Sequence, residues 1–336
     1  RTPRRRGTRA ITTPARANAS CELVVDRHVP KNAGTTVRSM LMLNALKLKR
    51  CRFVGYDVSS TWRSVHQAGG AFNHVALGDL LRKLRPGTRW CVEAHIVAES
   101  FWRDLASLRT LRPRCRALVM VRVRQPLAWY QSYYSWTVLG KQRGREEGYG
   151  ANFSEWLAGA PNLQSRLLLF GDAAGGPRWE QKGADRLQPG APRRLTVAQR
   201  RGVQRILQAA DIVAPVERLD ESLVLLRQLA GGWLDTRYSR TRPGPTHGPW
   251  EARRPQRVVA GVHALCAEGA SRRACAAAAA EAAPDDHELY ATVCDRFERQ
   301  LRLHAGPGFE QALRKHVAIV RTIHKHGGVR RATPVR

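Results

Sequence analysis

Residues 21–49 read CELVVDRHVPKNAGTTVRSMLMLNALKLK, and the architecture grows out of this run. Residues 22–29 have the length and apolar content of a β-strand. A Pro30-Lys-Asn-Ala-Gly34 turn follows, and from Thr36 to about Lys49 the apolar residues recur at helical spacing. Ordered structure is therefore expected to begin near Cys21 with a strand, a tight turn and a helix.

The neighbouring segments extend this pattern. Residues 52–58 have the composition of a second strand and residues 76–84 that of a short helix. Residues 90–97 and 117–123 are short runs, apolar on both faces, as suits central strands of a parallel sheet covered on both sides. Pro126 opens a helix expected to reach about residue 138, with a polar loop over 139–150. Residues 162–170 read as a helix, and the Gly/Pro/Arg-rich stretch up to 194 as a mobile loop. A strand over 212–216 precedes a helix over 221–229 that Gly231 and Gly232 stop. The Pro-rich residues 240–256 resemble a loop or lid. The rest is helical, broken at Pro284, with Leu289, Val293, Phe297 and Leu301 on one face. Strands alternating with helices define an α/β class, a three-layer arrangement with a central, mostly parallel sheet flanked by helices. The expected organisation is a basic flexible stem over 1–20, one domain over 21–305, and a C-terminal helix with a basic tail over 306–336.

The 336 residues suffice for a large core, and 43% apolar content with nine Trp excludes a disordered polycation. The formal charge is +30, and 49 of the 57 basic residues are Arg, the side chain suited to bidentate grip of phosphate, sulfate and carboxylate. Part of that excess fits a polyanionic ligand; Arg also rises with Ala, Gly and Pro in GC-rich coding sequence. No run of eighteen apolar residues occurs, so no segment of this chain is expected to span a membrane. The chain opens on Arg1 and reads as a fragment, any signal or anchor lying upstream. Seven Cys match no paired zinc pattern, and no metal is expected. Cys266 and Cys275 close a short loop suited to a disulfide. With the sequons at Asn18 and Asn152, they tilt the reading towards the secretory pathway.

Chemistry concentrates in three places. At the first, the turn before the helix aims backbone N–H groups and the positive helix end at one point, a ready anion site. Ala33 and Gly34 keep the turn small, Thr35 and Thr36 add hydroxyls, and Lys31 adds a point charge. A Walker loop would need Lys after its glycines, as GxxxxGK[ST]; here Lys31 precedes Gly34, which excludes that nucleotide-binding pattern. At the second, Arg124 ends the 117–123 strand and Ser132 lies two turns into the helix that Pro126 opens, so both can grip a second anionic group at the carboxyl end of a strand. Trp129, Tyr133 and Trp136, at i, i+4 and i+7, read as core. At the third, Glu93 and His95 alternate onto one face at the end of the 90–97 strand, either able to take a proton.

The string HVPKNAGTT at 28–36 resembles the 5′-phosphosulfate loop of sulfotransferases that use 3′-phosphoadenosine 5′-phosphosulfate (PAPS), written HxPKTGGT; Asn32 and Ala33 are the departures. RQPLAWYQS at 124–132 resembles their 3′-phosphate motif, Arg-Asp-Pro with Ser eight residues after the Arg, with Gln125 in place of Asp. The segment at 90–97 is similar to the Gly-His segment of carbohydrate sulfotransferases, Ala94 replacing the Gly. Further likeness covers residues 162–166, 217–222 and 286–297, about 22–303 in all. The resemblance implies a P-loop-like fold, PAPS as co-substrate without metal, and cofactor contacts from Lys31, Asn32, Ala33, Gly34, Thr35, Thr36, Arg124 and Ser132. It implies His95 as general base, with Glu93 as rival, and Lys31 as stabiliser of the leaving group; His28, near the loop, is assigned positioning instead of proton transfer. The implied acceptor is a saccharide hydroxyl, an acidic polysaccharide suiting the Arg-rich surface. The implied setting is the Golgi lumen, with membrane attachment only through an upstream type II anchor. Asn162, Gln164 and Arg166 either touch ligand or brace the fold. The alternatives are a protein-tyrosine sulfotransferase and a non-catalytic Arg-rich polyanion-binding protein. No nucleic-acid-binding motif is visible, and no nucleic acid is expected as partner.

Overall fold

A computed structural model describes residues 21–54, 85–94, 99–141, 153–169, 192–238 and 269–325. Strands β1 (Cys21–His28), β2 (Arg52–Val54), β3 (Thr88–Ala94), β4 (Cys115–Val123) and β5 (Ile212–Pro215) form one all-parallel sheet in the order β2-β3-β1-β4-β5. Strand alternation sends side chains to two cores, one on each face. Leu23 and Val25 of β1 enter the first core with Val119 and Val121 of β4, while Val24, Leu118 and Met120 enter the second. Both faces must then be covered, which is why the middles of these strands are apolar on both sides.

Helices supply the cover. α1 (Gly34–Met42), continued by a π-helical turn over Leu43–Lys47, places Val37, Met40 and Leu41 in the second core. α2 (Glu99–Leu111) and α3 (Pro126–Lys141) lie against the first core through Leu105, Leu108, Trp129, Tyr130 and Tyr133. α4 (Phe153–Gly159), α5 (Leu163–Leu169), α6 (Val197–Ala209) and α8 (Gly269–Ala282) join them there, and α7 (Leu219–Leu229) and α10 (Phe309–Lys325) pack on the other face. α9 (Pro284–His304) serves both: Leu289 and Val293 point into the first core, Phe297 and Leu301 into the second. It also covers the open edge of β5. Gln300 accepts from the Val213 N–H at 3.0 Å and donates to the Asp211 carbonyl at 2.6 Å, standing in for a missing strand.

This topology positions the site. β1 and β4 are neighbours, yet α1 leaves β1 on one face and α3 leaves β4 on the other. The loops after these two strands diverge and open a crevice between them at the carboxyl edge of the sheet.

The expected α/β class and parallel sheet agree with this architecture, as does the apolar face of α9. α1 starts at Gly34 instead of Thr36, and α3 runs three residues past 138 to Lys141. The strand expected over 90–97 is described as far as Ala94; His95 lies outside the described residues, as do the stem over 1–20, the helix over 76–84, the loop over 240–256 and Asn152. α2, α4 and α6 occupy stretches where the sequence reading placed no element. Two disulfides not foreseen tie the sheet: Cys21–Cys115 joins the register partners that begin β1 and β4, and Cys51–Cys91 joins the approach to β2 to β3. Cys275 is disulfide-bonded, and its expected partner Cys266 lies outside the described residues. No helix among the described residues is long and apolar enough to cross a membrane.

Candidate functional site

The loop between β1 and α1 is held in an unusual backbone shape. Lys31 and Ala33 both adopt left-handed conformations, at φ 70° and 59°. A non-glycine residue there costs roughly 1–2 kcal/mol, and two within three residues mark a segment whose surroundings dictate its form. Gly34 is fixed by space: a Cβ at this position would lie 1.9 Å from His28 Nε2, because the imidazole occupies that volume. Ala33 occupies the N-cap position of α1 and has no side-chain acceptor, and α1 has no acidic residue in its first turn. Among the described residues no side chain accepts from the N–H groups of Gly34, Thr35 or Thr36, so the positive end of α1 is open at the crevice.

Beneath the loop lies a buried ionic layer. Arg122 grips Asp26 with two bonds of 2.7 and 2.8 Å, both side chains fully buried, and its other Nη reaches towards the Ala33 carbonyl at 3.4 Å. Burial pushes the Asp26 carboxyl up, but Arg122 and His28 outweigh it and hold the group below its ordinary value. His28 stands 3.2 Å from Asp26 through Nδ1 and 3.9 Å from Glu93 through Nε2. Burial pushes its imidazole below the ordinary value despite Asp26. Glu93, at the end of β3, is buried and also lies 3.9 Å from Arg38.

A second set of bonds locks this loop to the one after β4. Asn32, fully buried, donates from Nδ2 to the Arg122 carbonyl at 2.7 Å and to Gln164 Oε1 at 3.1 Å. Gln164 accepts from the Arg124 N–H at 2.9 Å and donates to the Arg124 carbonyl at 2.9 Å. One side chain on α5 therefore fixes both loops. Arg124 is half-buried, and its Nη1 lies 3.5 Å from the Lys31 carbonyl. Trp129 completes the junction by donating from Nε1 to the Pro30 carbonyl at 2.8 Å. Arg27 links the same strand end to α5 through the Leu167 and Leu168 carbonyls.

The expected site residues thus meet in part. Lys31, Asn32, Ala33, Gly34, Thr35 and Thr36 form the loop and helix start, and Arg124 comes against Lys31. Ser132 is half-buried on α3, with no polar partner among the described residues. Gln125 Oε1 accepts from the Ala128 N–H at 2.8 Å and caps α3, a role a shorter acidic side chain also fills. Trp129 and Tyr133 are core, as expected from their spacing.

Asn162, Gln164 and Arg166 all make bracing bonds. Asn162 Oδ1 accepts from the Asp285 and Asp286 N–H groups at the start of α9. Asp286 in turn accepts from the Gln164 and Ser165 N–H groups at the start of α5 and from the Tyr130 hydroxyl. Burial pushes the Asp286 carboxyl up to about 6. Arg166 donates to the Pro161 and Pro192 carbonyls.

Asp26 and Arg122 were missed in the sequence, and Asp286 was noted there only as the first residue of a helix, without its role at α5. Asp26 and Arg122 carried a signal, since a charged residue inside an otherwise apolar strand needs a buried partner. Among the described residues no group of three His, Cys, Asp or Glu is arranged to hold a metal ion. No protein-family model matches the chain, and a search of curated proteins returns no match.

Proposed function

We propose that the chain is a PAPS-dependent O-sulfotransferase of P-loop-like fold that sulfates a saccharide hydroxyl. One observation carries the reading. Among the described residues the start of α1 has no acceptor, and it opens between Lys31 and Arg124 on two loops that Asn32 and Gln164 lock together. Two cations and a row of free N–H groups at one crevice fit a ligand bearing two phosphate-type groups. The strand order, with the anion loop directly after a β1 flanked by β3 and β4, supports the P-loop-like assignment.

PAPS supplies an activated sulfuryl group when bound. In this reading the N–H groups and hydroxyls at 34–36 hold its 5′ end, and Arg124 with Ser132 holds its 3′-phosphate. The acceptor oxygen attacks sulfur as the bond from sulfur to the bridging oxygen breaks. His95 takes the acceptor proton, and Lys31 offsets the negative charge gathering on the bridging oxygen. Glu93 is the rival base, favoured by its burial at the end of β3 beside Arg38 and His28. Two disulfides within the sheet support an oxidising compartment, and a Golgi-lumen setting accords with them.

Transfer of labelled sulfuryl from PAPS to desulfated glycosaminoglycans, with an acidic tyrosyl peptide alongside, tests the proposal. The expected result is label in the saccharide, lost in His95→Ala and retained in Glu93→Gln. Loss in Glu93→Gln alone would move the base to Glu93. Label in the peptide alone would make the chain a protein-tyrosine sulfotransferase. Label in neither would favour the polyanion-binding alternative.

A further inference from the structure

At the opposite edge of the sheet, where the strands begin, the surface holds an open depression of about 640 Å³. Lys49, Arg50, Arg52 and Arg89 line it, all exposed, and among the described residues no carboxylate does. Its apolar surface comes from Phe53 and from Leu46, which is 47% exposed and so unusually bare for a leucine.

The cations are held in place. The Arg52 guanidinium lies over the Trp90 ring at 5.7 Å and that of Arg89 over Trp233 at 5.2 Å. Arg50 donates to the Trp233 carbonyl at 2.9 Å, and Arg89 to Glu22 at 2.8 Å. Each of these bonds uses one of the five N–H groups an Arg carries, and no other described residue takes the rest. Lys49 is presented by a left-handed backbone at φ 54°, directly after the π-helical turn, and the Cys51–Cys91 disulfide anchors the segment to β3. Guanidinium groups fixed against aromatic faces give up less freedom on binding than free ones.

We propose that this depression is a second binding site, taking an anionic saccharide whose sulfate or carboxylate groups meet the four cations and whose ring faces rest on Leu46 and Phe53. The saccharide identity rests on the sulfotransferase reading; the anion site itself does not. β3 separates the two edges by seven residues, roughly 20 Å at the usual strand rise. The depression is therefore distinct from the crevice at Lys31. A polysaccharide held there stays at raised local concentration near the transfer site, which lowers the concentration needed for turnover without changing the chemical step.

The test is calorimetric binding of a sulfated, uronate-containing hexasaccharide at physiological salt to wild type, to Lys31→Ala and to the double variant Lys49→Asn/Arg52→Gln. Asn tolerates the left-handed backbone at 49, and both replaced side chains are exposed, so thermal unfolding should be unchanged. The double variant is expected to bind at least about tenfold more weakly, to show a shallower salt dependence, and to keep its affinity for 3′-phosphoadenosine 5′-phosphate. Lys31→Ala should keep the hexasaccharide affinity while losing the bisphosphate. In turnover, the double variant should raise KM for a long acidic acceptor at unchanged kcat. Hexasaccharide affinity equal to wild type in the double variant would overturn the site. Equal displacement by an oligoglutamate peptide of matched charge would overturn its saccharide identity. If bisphosphate binding fails in wild type while the hexasaccharide binds here, the sulfotransferase reading falls and the anion site stands.

Discussion

Helix starts in this protein are treated in two opposite ways. At the α5–α9 junction each helix start is closed by an acceptor from the other: Asn162 takes the first N–H groups of α9, and Asp286 takes those of α5. At α1 the same kind of groups face the crevice, without an acceptor from Ala33 and without an acidic residue in the first turn. Helix starts need acceptors wherever water is excluded. Closing one pair and, among the described residues, leaving the other open between Lys31 and Arg124 separates a structural joint from the proposed anion site. The two are connected, since Gln164 takes part in the closed joint through its backbone and steers Arg124 and Asn32 through its side chain.

That contrast breaks most easily at the joint. Asp286→Ala strands two buried N–H donors, those of Gln164 and Ser165, while the Tyr130 hydroxyl keeps the Ala160 carbonyl; it should cost about 3–5 kcal/mol of stability, read by denaturant unfolding. The fraction that remains folded should still bind bisphosphate. Lys31→Ala should behave in the opposite way, with unfolding unchanged and sulfuryl transfer reduced about 10²–10³-fold in steady-state assay.

A pH titration sharpens the difference. The Asp286 carboxyl, pushed up to about 6 by burial, holds its proton more tightly in the folded chain than in the unfolded one, where about 4 is usual. Its contribution is therefore fully present below pH 4 and fades as pH rises through 6, by about 2–3 kcal/mol. The difference in unfolding free energy between wild type and Asp286→Asn should carry that slope and be flat above pH 7. The smallest effect is at the open end. Ala33→Gly relieves a left-handed alanine at the expense of a more flexible unfolded chain, for a net gain of about 0.5 kcal/mol in thermal unfolding with anion binding kept.

Much of this was legible in the sequence because it is local. Strands apolar on both faces announced a covered parallel sheet, and the small residues at 30–34 announced the turn between β1 and α1. α9 declared its inner face by spacing. α6 had a signal that passed unread: Thr196 and Gln199 form a capping box. The rest depends on which segments meet. Cys21 and Cys115 pair only because β1 and β4 are neighbours, and that order is not written in either strand. Asp286 reads as an ordinary acidic residue in a first helical turn until α5 is brought against it. Asn162 and Gln164 were ambiguous because an amide that braces two loops and one that holds a ligand have the same chemistry; the bracing bonds of Gln164 to the Arg124 backbone appear only once α5 meets the loop after β4.

The central claim is that the open start of α1, with Lys31 and Arg124, is a site for a bisphosphorylated nucleotide. Calorimetric titration with 3′-phosphoadenosine 5′-phosphate, against 5′-AMP, tests it most directly. The account predicts micromolar binding of the bisphosphate, little of AMP, and loss of the preference in both Lys31→Ala and Arg124→Ala. Equal binding of the two nucleotides, or a preference that survives both substitutions, would contradict it.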